Sequence, residues 1–416
     1  MNVSTAFAPP FKLIAPFFII GIFTYACCIV LMFGFDFSNL NSFNSSVLAW
    51  VHLFLLGFVM MVIFGAMAQL VPVVLEVGHF AVDLYYVIYP LLFIGSIMMM
   101  LGFYTYPLLL PFGGVIAFIA FGIFLFETFL TIYKVKIFNF VITTVAVANS
   151  FLLLGLIIGI FLALGYSGII IIDINLWLIS HVYSVVIGYV TITIMGMSMV
   201  LLPMFWLSHN FSWKLAKIAL LTLSIAIISI FLSSLLKLVQ LEYLGYILTI
   251  FALFLYFCQI YIIYKKRVRI EKDIYLKSML FSYGSLISVL LLSVIYFYYP
   301  LKNLLLSLSW LGFSGFIVFI ITGHLYKIIP FLVWYERFSV YVGKKKVPML
   351  ADMVPLKSAN MQFLFNTIGV ILVFLALLLD LELLYKSGVS FLTIGTIFLI
   401  KDILFMINFK GDSNGN

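Results

Sequence analysis

The chain has 416 residues, of which 66% are hydrophobic and 9% charged, with a mean hydropathy of +1.29. No water-soluble domain of this length could hide so much apolar surface in one core, so a soluble protein is excluded and a polytopic membrane protein is expected. The formal charge of +8 gives no case for nucleic acid; in such a chain it reports which loops face the cytoplasm and contact anionic lipid headgroups.

Apolar runs long enough to cross a bilayer lie at 11–34, 47–75, 82–104, 109–133, 138–165, 176–206, 213–236, 240–264, 277–299, 304–334, 361–384 and 388–409. The first is longer than a signal-peptide core and lacks a small-residue cleavage site, so it is expected to stay in the membrane. Its Cys27 and Cys28, with Cys258 in the eighth run, predict neither a disulfide framework nor a thiolate metal site. The second run opens with His52. The fourth carries Glu127 within "FLFETFL", an acid with apolar neighbours on both sides that could begin a proton path or pair with a loop lysine. The sixth carries His181. Methionines at 98–100 and at 195, 197, 199 and 204 read as packing at helical spacing rather than as soft metal ligands.

Between the eighth and ninth runs lies a basic stretch with Lys265, Lys266, Arg267, Arg269, Lys272 and Lys277. Placing the N-terminus in the cytoplasm puts 19 of the 22 Lys and Arg on the inner side, leaving Lys237, Lys302 and Lys386 outside. The stretch "GFIVFIITGHLYKIIPFLVWYERF" (315–338) covers most of the tenth run and the residues just beyond it, with His324 and Lys327 one turn apart and Glu336 and Arg337 at its end. These four predict a polar cluster at the inner face, with Glu336 the nearest acid in sequence for His324. His79 and His209 fall in inner loops and are expected to be solvated. The polar stretch 335–360, broken by Pro348 and Pro355, follows.

Three of the runs repeat one pattern. Gly57, Gly65 and Pro72 match Gly188, Gly196 and Pro203, and then Gly315, Gly323 and Pro330, with glycine at +8 and proline at +15 each time. An aromatic follows the first glycine (Phe58, Tyr189, Phe316), and isoleucine stands at +6 (Ile63, Ile194, Ile321). About 0.05 such three-residue matches are expected by chance, so the chain reads as three blocks of four segments, approximately 11–134, 138–264 and 277–409, within a single membrane domain spanning 1–416. Steps of eight and seven keep these residues on one stripe, where glycine permits close helix approach and proline bends the helix.

Twelve segments in three four-helix blocks, with a histidine in the second, sixth and tenth, resemble subunit I of the haem-copper oxidases over nearly the whole chain. The stretch "HLFLLGFVMMVIFGAMAQLVP" is similar to that family's second helix and "SHVYSVVIGYVTITIMGMSMVLLPMF" to its sixth. The likeness is greatest to divergent subunit-I-like membrane proteins near the nitric-oxide-associated NnrS haem proteins. The resemblance implies an all-α fold with pseudo-threefold symmetry. It also implies that His52 matches an axial haem ligand and that His181 matches a copper ligand. The remaining family histidines are missing: 213–236 has none, and the outer part of the tenth segment reads "LLLSLSWLGFSG". A three-histidine copper site and a haem-copper oxygen-reducing centre are therefore not expected.

Along parallel helices at 1.5 Å per residue, His324 is roughly 20 Å deeper than His52, whereas His181 differs from His52 by only about 3 Å. His52 and His181 are thus the candidate cofactor or metal ligands. The expectation is one haem or metal near the outer face, serving electron transfer, gas binding or support of a respiratory complex, with a cytochrome or respiratory subunits as partners. The bacterial-type inner membrane, with both chain termini cytoplasmic, is the expected location. The alternative is a cofactor-free transporter or assembly factor on the same scaffold. No phosphate loop, nucleophile elbow or zinc motif occurs.

Overall fold

The computed structural model describes residues 7, 9–41 and 44–411. Twelve helices among them are long and apolar enough to cross a membrane. They are α1 (Phe11–Gly34), α2 (Ser45–Leu75), α3 (Val82–Tyr104), α4 (Leu109–Tyr133), α5 (Phe140–Tyr166), α6 (Ile174–Trp206), α7 (Lys214–Leu236), α8 (Val239–Lys265), α9 (Ile274–Tyr298), α10 (Asn303–Arg337), α11 (Leu356–Leu379) and α12 (Glu382–Ile407). No strand occurs among the described residues. Hydrocarbon leaves no partner for a bare amide, so each apolar run closes its backbone hydrogen bonds within itself.

Four helix starts are set by short polar side chains. Asn44, Asn139, Asp173 and Asp273 each accept a hydrogen bond from a backbone N–H in the first turn that follows. Hydropathy alone places several boundaries differently, by five residues at the start of α11 and six at the start of α12, and two of the differences have a visible cause. Asp273 starts α9 at Ile274, before the apolar run begins at 277. Asp380, in the left-handed conformation at φ +58°, ends α11 at Leu379, whereas the apolar run continues to 384. Capping and backbone handedness decide these ends, and hydropathy carries no signal for either.

The three glycine–glycine–proline segments share a local backbone that the pattern does not announce. In each, the helix winds in π form around the first glycine: Leu53–Met60 in α2, Tyr183–Thr191 in α6 and Leu311–Ile317 in α10. The helices resume α winding beyond, with Pro72, Pro203 and Pro330 inside them. The second glycine of each segment receives the helix that precedes it in the chain. A Cβ at Gly65 would stand 2.7 Å from Phe17 Cβ of α1, and one at Gly196 would stand 2.7 Å from Thr144 Oγ1 of α5. One at Gly323 would stand 2.9 Å from Ser278 Cβ of α9. These are separations at which only glycine fits without displacing its neighbour.

The chain forms two compact units. One comprises Val71–Met98 and Tyr106–Glu271 with the described residues before Pro9, and the other Pro9–Leu70, Met99–Thr105 and the described residues from Lys272 onward. His181, His79 and Glu127 belong to the first unit; His52, His324 and Lys327 belong to the second.

Candidate functional site

His52 closes the first α-helical turns of α2, immediately before the π stretch. Its Nδ1 lies 2.8 Å from the Leu48 carbonyl oxygen, so that nitrogen carries the proton and donates. The ring stacks on Phe103 at 4.5 Å between centroids. Two residues earlier, Trp50 donates from Nε1 to the Cys28 carbonyl at 3.0 Å and stacks on Phe54. Trp310 lies 6.0 Å from Trp50 and donates to the Val370 carbonyl. Met32, Val47, Trp50, Trp310, Val373 and Tyr385 are among the side chains around an apolar cavity of about 60 Å³. Apart from Ser309 its lining is apolar or aromatic, and it suits a small apolar molecule rather than an ion.

His181 stands at the corresponding point of α6, two residues before its π stretch. Its Nδ1 donates to the Gly155 carbonyl of α5 at 2.8 Å. Gly159, one turn on, gives the imidazole its room, since a Cβ there would stand 2.8 Å from the ring's Cε1. In both histidines the Nδ1 proton is committed to a carbonyl. That fixes Nε2 as the basic nitrogen and sets the plane of the ring, which is how protein axial imidazoles are oriented. The residues fit a single imidazole ligand to an iron at either place. Among the described residues no three His, Cys, Asp or Glu side chains gather as a metal site.

The polar residues of α10 separate into four contacts. His324 donates from Nδ1 to the Ile320 carbonyl at 2.8 Å, and its Nε2 meets the Tyr275 hydroxyl at 3.3 Å. Both ring nitrogens are thereby used, and the partner is Tyr275 of α9 rather than Glu336. Lys327 pairs with Asp273 at 2.7 Å, each about 21% exposed. Glu336 instead accepts from the Phe11 backbone N–H at 2.8 Å, and Arg337 donates to the Phe409 carbonyl at 2.7 Å. The four residues thus tie α10 to α9, to the start of α1 and to the end of α12. A sequence ruler cannot supply these partners, because they come from packing across 49 to 325 residues of chain.

Glu127 pairs with a histidine rather than with a loop lysine. His79 Nδ1 lies 2.7 Å from Oε1, with side-chain exposures of 3% and 0%. The Phe80 backbone N–H and the Thr131 hydroxyl donate to the same oxygen, and Tyr85 donates to Oε2. The expectation of a solvated His79 is therefore corrected: the acid draws it in, and Lys134 seals the turn by donating to the Gly78 and His79 carbonyls. With donors on both oxygens, this carboxylate acts as a clamp on the turn before α3.

Sequence reasoning passed over Asp402 in α12, which is fully buried and accepts from the Tyr326 hydroxyl at 2.7 Å. Its neighbour Lys401 is exposed and gives "IKDIL" the look of an interface stretch. The helical face was the available signal: Gly395, Leu399 and Met406 share it with Asp402 and are all buried.

No family model matches the chain, and no curated protein matches it.

Proposed function

We propose that this chain is an integral membrane protein on the subunit I architecture of the haem-copper oxidases, its three four-helix blocks related by approximate threefold symmetry. It lies in a bacterial-type inner membrane with both termini cytoplasmic. It holds one haem or metal near the outer face through His52, with His181 as the second candidate. Its role is electron transfer, gas binding or support of a respiratory complex, and not the reduction of oxygen.

The observation that carries this reading is the commitment of Nδ1 to a backbone carbonyl in both His52 and His181, each placed at the approach to a π-wound stretch. π windings inside α-helices concentrate at functional sites because they interrupt the regular hydrogen-bond ladder. Support for three related blocks comes from the recurrence of that winding at the same point of each glycine–glycine–proline segment. A haem iron bound there would supply a one-electron couple or a position for a diatomic gas. What the chain's own residues do is hold the imidazole tautomer, present Nε2, and shield the ring with Phe103.

The test is the absorption spectrum of the purified protein. A Soret band, lost or shifted in His52→Ala and retained in His324→Ala, is the expected result. Loss in both variants to the same degree would overturn the assignment. The second reading is a cofactor-free transporter or assembly factor. It is favoured by two fully buried carboxylates, Glu127 and Asp402, which haem ligation does not use. A colourless protein would support it.

A further inference from the structure

The last helical hairpin hides a line of polar side chains in a seam that is otherwise apolar. α11 and α12 pack antiparallel in one register: a Cβ at Gly369 would meet Leu392, one at Gly388 would meet Val373, and Gly395 lies under the Asn366 amide. The same register brings Ser358 opposite Asp402. Asp402 uses Oδ2 to accept from Tyr326, while Oδ1 has no partner. Ser358 lies beside the carboxylate, its hydroxyl within reach of it but outside hydrogen-bonding geometry. Further along the seam, Gln362 is 2% exposed, and Asn366 is 1% exposed with both amide atoms unpartnered. Thr396 follows Gly395 on α12 and donates to the Leu392 carbonyl. From α1, Tyr25 brings a buried hydroxyl within reach of Thr396 but outside hydrogen-bonding geometry.

Each buried polar atom without a partner costs about 1–3 kcal/mol, and a single orphan is an ordinary imperfection. Here several share one seam. Its lower end is charged: there Phe11 meets Glu336, and Arg337 meets Phe409. Asp402 is five residues from the end of α12 and Tyr25 fourteen from the start of α1, so the line rises from roughly 8 Å to roughly 21 Å above that end. It covers nearly half of an apolar core about 30 Å thick.

We propose that Asp402 is a proton-loading carboxyl, reached from the charged end past Ser358, at the foot of a hydrated file that continues through Gln362 and Asn366 to Tyr25. A proton arriving through water past Ser358 binds Oδ1 and converts the carboxylate to the neutral acid, while the Tyr326 phenol keeps its hydrogen bond to Oδ2. Along the file each water or hydroxyl accepts one proton and gives up another, so no redox partner is involved. The groups facing the carboxyl are Tyr326 from α10, Ser358 from α11 and, beside it on α12, exposed Lys401; α1 brings no titratable side chain to it among the described residues. Glu127 is unsuited to this role because donors occupy both of its oxygens. The inference does not depend on a bound haem.

A hydrophobic carbodiimide tests it, because such reagents modify a carboxyl that is protonated in apolar surroundings. In the purified full-length protein, mass spectrometry should find Asp402 modified at low pH and progressively protected as pH rises. Asp402→Asn should lose the adduct, and Asp273, paired with Lys327, should stay unmodified throughout. Absence of an Asp402 adduct between pH 5 and 9, in protein with native helicity, would overturn the proposal. Radiolytic hydroxyl footprinting reads the file itself. Buried Tyr25 should be oxidised by adjacent water and at least fivefold less so in Asn366→Leu, and a Tyr25 that is never oxidised would refute the hydrated file.

Discussion

Replacing Glu127 with alanine should loosen the turn before α3 and lower the stability of the unit that contains it. The substitution leaves His79 Nδ1, the Tyr85 hydroxyl and the Thr131 hydroxyl without their acceptor, and Phe80 N–H keeps only its 3.0 Å contact to Thr131. Removing the acceptor from a buried hydrogen-bonded cluster, which leaves its donors unsatisfied, costs about 3–5 kcal/mol. The unit comprises about 200 residues. At about 2.1 cal/mol/K per residue its unfolding entropy is about 0.4 kcal/mol/K, so the midpoint should fall by about 7–12 °C. Glu127→Gln keeps an oxygen where His79, Phe80 and Thr131 converge, and its amide N–H₂ can donate to Tyr85. That variant should lose only about 1–2 kcal/mol, the charge-assisted part of the interaction. The assay is thermal unfolding in detergent, followed by circular dichroism and by protease cleavage at residues 76–82. Equal midpoints for the alanine and glutamine variants would refute the clamp, since the two differ only in whether an acceptor remains.

Gly196→Val should cost about 1–3 kcal/mol, because its Cβ would stand 2.7 Å from Thr144 Oγ1 and 2.8 Å from Thr144 Cβ; Thr144→Ala in the same chain should recover part of the loss in a thermal melt. Lys327→Met should cost about 1–2 kcal/mol, between the values for exposed and buried ion pairs, and Asp273→Ala about 1 kcal/mol more, because Asp273 also caps α9; denaturation midpoints of the two variants, compared directly, check the order. His324→Ala should lower the midpoint and raise cleavage of the 335–360 loop without altering any absorption band, since both of its ring nitrogens are occupied by Ile320 and Tyr275.

Twelve membrane segments and their approximate limits are legible in the sequence because the bilayer imposes a length and a polarity that a single residue cannot hide. The glycine–glycine–proline pattern is legible for the same kind of reason: Gly65, Gly196 and Gly323 each meet a side chain that leaves no space for a Cβ. The polar partners are another matter. Lys327 pairs with Asp273 and Glu127 with His79, in neither case with the nearest opposite charge in sequence, because burial selects partners by three-dimensional register.

The winding around Gly57, Gly188 and Gly315 is likewise invisible to hydropathy, since a π turn uses the same apolar residues as an α turn. It does alter the ruler. A π stretch of two turns takes up about one residue more than α winding, so residues before it are out of phase by one position with those after it. His52 and His181 lie before the stretch and the repeat's second glycine and proline after it, so their helical faces and depths cannot be read by counting. This makes a further prediction. Deleting Ile187, inside the π stretch of α6, should let the segment close as α-helix with both flanks still in phase, leaving Gly196 against Thr144 and His181 against Gly155. Deleting Ile194, in the α-wound part, turns everything on one side by about 100° and strips those contacts. The first variant should fold with a loss of a few kcal/mol at most, and the second should fail to accumulate in the membrane. Expression and size-exclusion profiles compare them directly. Equal failure of the two would mean that the π stretch is no one-residue insertion, and the shared placement of His52 and His181 would lose its structural basis.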